Sequence, residues 1–167
     1  HFIVNKAQNI SHIFENCLEL KNLNINSFNT EQVKDFSSAF KGCSSLTSID
    51  LSSFSTNNAL NMSSMFEDCF NLQNLNFNFG ASKVIDMSKL FHNCALLNEI
   101  NIRNFKTDNV ENMAQMFDGC KNLENLDFSN IRTNMVKNMS SIFKDCSNLK
   151  YIDLSQLNTS LVEDMSY

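Results

Sequence analysis

Six cysteines are the residues of this 167-residue chain whose number and spacing most invite chemistry. They stand at 17, 43, 69, 94, 120 and 146, so the gaps are 26, 26, 25, 26 and 26 residues. Thiols can pair as disulfides, hold zinc or act as nucleophiles, and each use makes its own demand on spacing. Structural zinc wants clustered ligands, and no Cys-x-x-Cys pair occurs. A nucleophilic thiol needs a base, a group that orients the base, and an oxyanion site. His92 is two residues from Cys94 but brings none of these, and His1 and His12 occupy unrelated positions. No Gly-rich phosphate loop is present either. The chain therefore reads as non-enzymatic, with no catalytic residue, no metal ligand and no cofactor assigned.

The cysteine spacing instead marks an internal repeat. Three residues before each cysteine stand Phe14, Phe40, Phe66, Phe91, Phe117 and Phe143, and three after it Leu20, Leu46, Leu72, Leu97, Leu123 and Leu149. A further apolar column is Phe2, Phe28, Phe54, Phe79, Phe105, Ile131 and Leu157. The single short gap places a one-residue deletion at about Asn78, in a loop where Gly80 supplies unusual backbone angles. Residues 1–167 thus form one array of about six 26-residue units, without a linker.

Two periods run through each unit. In Asn61–Cys69 the apolar residues Met62, Met65, Phe66 and Cys69 follow i, i+3, i+4, i+7, which predicts one face of a short helix. Asn9, Asp35, Asn61, Asp86, Asn112, Asn138 and Asp164 precede the first apolar position and suit a helix start. Asn16, Gly42, Asp68, Asn93, Gly119 and Asp145 precede cysteine and tolerate the left-handed conformation of a helix stop. Cys17, Cys43, Cys69, Cys94, Cys120 and Cys146 then face inward as a structural ladder of free thiols, because parallel stacked side chains fit the disulfide dihedral poorly. After the cysteine, Leu46-Thr-Ser-Ile49-Asp-Leu51 ends in the alternation of a short strand with one buried face. One strand and one helix per unit cannot bury an apolar face alone. The expected fold is therefore an α/β repeat solenoid, with short parallel strands on one face and short helices on the other.

Strand side chains alternate, so the row between the two inward positions must point outward. It comprises Asn24, Asp50, Asn76, Asn101, Asp127 and Asp153, with Tyr151 and Arg103 among the flanking residues. This row is either a solvated amide ladder or a surface for carbohydrate, peptide or a basic protein. The chain has 27 Asn, 21 Ser and no Pro, and 19% of its residues are charged, below the ~25% usual for globular domains. A net charge of −5 argues against nucleic acid as a partner. Apolar runs are too short for this segment to enter a bilayer.

Leu-x-x-Leu-x-Leu/Phe in a repeat of this length resembles a leucine-rich repeat. Ala39-Phe40-Lys-Gly-Cys43-Ser-Ser-Leu46-Thr-Ser-Ile49 is similar to its BspA-like class. The run from Asp108 to Leu123 is closer still to the 26-residue surface-protein repeat of mycoplasma-type lipoproteins and wall-anchored proteins. The resemblance implies a right-handed leucine-rich-repeat superhelix in an extracellular, cell-surface protein. Its implied role is adhesion to protein or carbohydrate on a host or neighbouring cell. A structural spacer, or the partner-selecting repeats of a secreted effector, are the alternatives. The chain starts and stops within a unit and so reads as a fragment, with an uncapped end open to self-association.

Overall fold

The structure is a computed structural model that describes Val4 and residues 6–167. His1 and Phe2, assigned above to the histidine set and an apolar column, lie outside the described residues. The cysteine-bearing segments are not helices. Among the described residues the only named elements are two short parallel strands, β1 (Ser48–Leu51) and β2 (Asn74–Phe77). The expected helical layer, and with it the α/β leucine-rich-repeat superhelix, is overturned.

Consecutive tight turns replace the helix. In residues 10–17 the N–H of Ile13 donates to Ile10 C=O, that of Glu15 to His12 and that of Cys17 to Phe14. The intervening amides leave the coil altogether. Those of Ile10, His12, Phe14 and Asn16 donate at 2.7–3.0 Å to the carbonyls of Asp35, Ser37, Ala39 and Lys41 in the next coil. Three amides thus close turns, four join coils and that of Ser11 donates to Asn9 Oδ1, and the cross-coil pattern recurs from Phe36 to Asn61, Ser38 to Ser63, Phe40 to Met65 and Gly42 to Glu67.

Two columns of left-handed residues make this route. One is the anticipated set before cysteine: Asn16, Gly42, Asp68, Asn93, Gly119 and Asp145. The other is His12, Ser38, Ser64, Lys89, Gln115 and Ser141, with φ of 53–59°. These residues fall where a helix would need negative φ, and a left-handed side-chain-bearing residue costs ~1–2 kcal/mol. Amides joined to the adjacent coil offset that cost. A nine-residue helix has little to set against them, since isolated helices under ~12–15 residues are marginal. Tight turns bring the same i, i+3, i+4, i+7 positions inward, so helical spacing arises without a helix.

The expected helix starts keep their chemistry but cap turns. The Oδ1 atoms of Asp35, Asn61, Asp86 and Asn138 accept the N–H two residues on, at 2.8–2.9 Å. These residues also form a parallel bridge ladder from Asn9 to Asp164. On the other side, β1 pairs with β2 in the register set by the repeat, Ile49 beside Leu75 and Leu51 beside Phe77. Beyond them the strand column shrinks to the bridges Glu99–Asn125–Tyr151. The one-residue deletion is absorbed at Ala81, with φ of 50°, rather than at Gly80, whose φ is not positive.

Between the two sides runs one apolar cluster, in which Phe40, Phe66, Phe91 and Phe117 are fully buried. Rings of successive coils stack at 5.6–5.9 Å from Phe14 through Phe143, within 19° of parallel. Each buried Phe→Ala change at this ladder removes about 3–5 kcal/mol.

Candidate binding face

The outward row sits where strand alternation puts it. Asn24, Asp50, Asn76, Asn101, Asp127 and Asp153 are all exposed on one side of the stack. Each acidic member is fixed by the turn that follows it. Asp50 Oδ1 accepts the Ser52 N–H at 2.9 Å and Asp153 Oδ1 that of Ser155 at 2.9 Å. Asp127 Oδ1 accepts the Ser129 hydroxyl at 2.6 Å and its N–H at 3.1 Å. Asn24 and Asn101 use the same turn on Asn26 and Arg103. The Ser52 and Ser155 amides hold Asp50 and Asp153 below the ordinary carboxylate range, and the Ser129 hydroxyl does so for Asp127.

Contacts along the row join adjacent coils. Asn76 Nδ2 donates to Asp50 Oδ1 at 3.0 Å, and Arg103 Nε to Asp127 Oδ2 at 2.8 Å. The row is thus an exposed surface in which some members bond from coil to coil. Two shallow grooves lie across it. One, of about 540 Å³, is lined by residues that include Asn22, Asn24, Ser48, Asp50, Asn74 and Asn76. The other, of about 620 Å³, is lined among others by Glu99, Asn101, Asn125, Asp127, Tyr151 and Asp153. Arg103 and Tyr151 both line the second groove, and Tyr151 is 72% exposed.

The cysteines are free thiols. Cys43, Cys69, Cys94, Cys120 and Cys146 each donate S–H to the carbonyl of the phenylalanine of the preceding unit, at 3.1–3.2 Å. Burial pushes Cys43 and Cys146 up to about 11, and Cys69, Cys94 and Cys120 further. Cys17 departs from the expected ladder, because it is exposed. His92 does not meet Cys94: its Nε2 lies 3.1 Å from Asn93 Nδ2 and its Nδ1 3.4 Å from Asp118 Oδ2. Among the described residues no three His, Cys, Asp or Glu side chains converge as metal ligands.

Two polar columns escaped the sequence reading. Thr30, Thr56, Thr107 and Thr133 are buried thirteen residues after their cysteines. The Thr107 hydroxyl donates to Arg132 C=O and accepts Arg132 N–H, both at 2.7 Å, tying coil to coil. Recurrence of Thr at a fixed offset was the available signal. The second column, two before cysteine, pairs Lys41 Nζ with Glu67 Oε2 at 3.0 Å.

Stacked coils, cross-coil amides and the repeated side-chain ladders define a tandem-repeat protein without a helical layer. The chain belongs to the family described as mycoplasma protein of unknown function, DUF285, matched twice, over residues 1–99 and 70–167. No curated protein and no solved structure matches it.

Proposed function

We propose that this chain is a non-enzymatic binding module of a bacterial surface protein, which presents its outward polar face to a macromolecule on a host or neighbouring cell. The observation that carries the reading is the fixed row itself. Asp50, Asp127 and Asp153 are exposed yet held by the amides of Ser52, Ser129 and Ser155. Groups ordered before a partner arrives reduce the entropy lost on binding. Membership in a mycoplasma family, and the resemblance of the repeat to BspA-like surface repeats, support the cell-surface location and an adhesive role.

Binding of the purified chain to intact animal cells and to purified matrix proteins tests this reading. Saturable binding that Asp50→Ala, Asp127→Ala and Asp153→Ala together abolish, with the fold retained, is the expected result. An absence of binding to every surface would leave a spacer, and with it the proposal falls.

A further inference from the structure

We infer that the groove over the later coils, from Glu99 to Asp153, is a binding site for a neutral oligosaccharide. The inference rests on the binding-module reading and names the ligand class. Of the two grooves on this face, only this one has an exposed aromatic, Tyr151, in its lining. Tyr151 is also the one aromatic in the outward row and its two flanking rows. A phenol ring 72% exposed on a polar surface offers a flat apolar plate beside hydrogen-bonding groups. The apolar face of a sugar ring matches such a plate, while its hydroxyls need partners at the edge.

Those partners are present. Asn101 and Asn125 carry both donors and acceptors, and Asp127 and Asp153 carry acceptors, along with the Arg103 guanidinium. A sugar hydroxyl both donates and accepts, so mixed amides and carboxylates satisfy it where a purely acidic patch would not. Coils paired through Glu99–Asn125–Tyr151 repeat this set at ~4.8 Å, the spacing of paired strands. One oxygen of Asp153 is held by a turn amide, leaving the second to engage a ligand, whereas Asp127 spends one oxygen on Ser129 and the other on Arg103 and so orients the guanidinium. A volume of about 620 Å³ suits a small-molecule site.

Charge narrows the class. The groove contains Glu99, Asp127 and Asp153 against Arg103, which already binds Asp127. An anionic polymer such as heparin is repelled. A cationic peptide would find only Glu99 and Asp153 without a cation, and it would leave the amides and the Tyr151 plate unused.

Titration calorimetry with cellotriose, maltotriose and triacetylchitotriose, beside heparin and an oligolysine, tests the assignment. At least one neutral trisaccharide should bind, and heparin should not. Tyr151→Ala should weaken that binding at least about tenfold and Tyr151→Phe hardly at all, since the plate remains. Asp153→Ala should also weaken it. Tyr167→Ala, which removes another exposed ring, should leave it unchanged. Oligolysine binding without any trisaccharide binding overturns the proposal in favour of a cationic peptide. Trisaccharide binding indifferent to Tyr151→Ala overturns it as to place. If no trisaccharide binds while the chain still binds cells or matrix proteins through the acidic row, this inference fails and the binding-module reading stands. If nothing binds, both fail.

Discussion

The thiol of Cys94 donates to the carbonyl of Phe66 at 3.2 Å, and the same oxygen accepts the N–H of Cys69 from its own coil. One carbonyl therefore closes a turn and holds the next coil. Cys94→Ala deletes the second bond and a small volume, at a cost of about 1–2 kcal/mol. Cys94→Ser keeps a donor and should recover part of it. Denaturant midpoints of the two variants check the order.

Thiol burial also sets the alkaline limit of stability. A thiol raised in the folded state keeps its proton longer there than in the unfolded chain. Its contribution is full below the ordinary value of 9.0 and is lost as pH rises through the folded value. For Cys43 and Cys146 that window runs from 9.0 to about 11. Stability should therefore decline progressively above pH 9, measured by urea midpoints across the range. In the native protein at neutral pH, an alkylating reagent should label Cys17 first and leave Cys69, Cys94 and Cys120 intact.

Thr107→Val keeps the shape but removes the hydroxyl that serves both Arg132 backbone groups. An unpaired buried donor or acceptor costs about 1–3 kcal/mol, whereas Thr107→Ser keeps the oxygen and should cost less. Slower amide exchange at Arg132 in wild type than in Thr107→Val would locate the effect.

Gly119 has φ of 76°, and a Cβ there would run into the side chain of Asn93. Gly119→Ala should destabilise by about 1–2 kcal/mol from backbone strain alone. Gly119→Asn should be milder on that count, because Asn tolerates this conformation and occupies the column at positions 16 and 93. Thermal melts of the pair separate backbone strain from crowding, since both carry a Cβ.

Glu67 is buried with its Oε2 on Lys41. Burial alone would raise its carboxyl, but the Ser64 hydroxyl and the Lys41 ammonium outweigh it and hold the group low. A lowered acid stabilises above its unfolded value and loses that contribution as pH falls through the folded one. Lys41→Met should therefore move the acid-unfolding midpoint to higher pH, read by circular dichroism.

Strand alternation made Ser48–Leu51 and the outward Asp50 legible, because a period of two has one structural meaning. Left-handed Asn16 and Asp68 were legible from residue type for the same local reason. The segment between cap and cysteine was not. Phe36, Ala39, Phe40 and Cys43 face inward under either a helix or a run of tight turns. What decides between them is the Ser38 N–H, which donates to Ser63 in another coil. Periodicity within one unit holds no record of a bond to the next. Asp35 caps a turn with the atom that would have capped a helix, so its residue type could not discriminate either.

Followed from coil to coil, the amides that leave each turn segment form continuous threads. Ile10 donates to Asp35, Phe36 to Asn61, Met62 to Asp86, Met87 to Asn112, Met113 to Asn138 and Met139 to Asp164. Every peptide in the thread points its N–H toward the later coil, and parallel threads run through His12, Phe14 and Asn16. Aligned peptide dipoles sum along an axis, as they do in an α-helix. These four threads outnumber the opposing one, in which Lys34 donates back to Gln8 and Leu60 to Lys34, so this side of the stack has a net dipole with its positive end toward the later coils, the reverse of a helix relative to chain direction. Bonds in such a chain polarise one another, so a coil in the middle is held more firmly than an identical coil at either end.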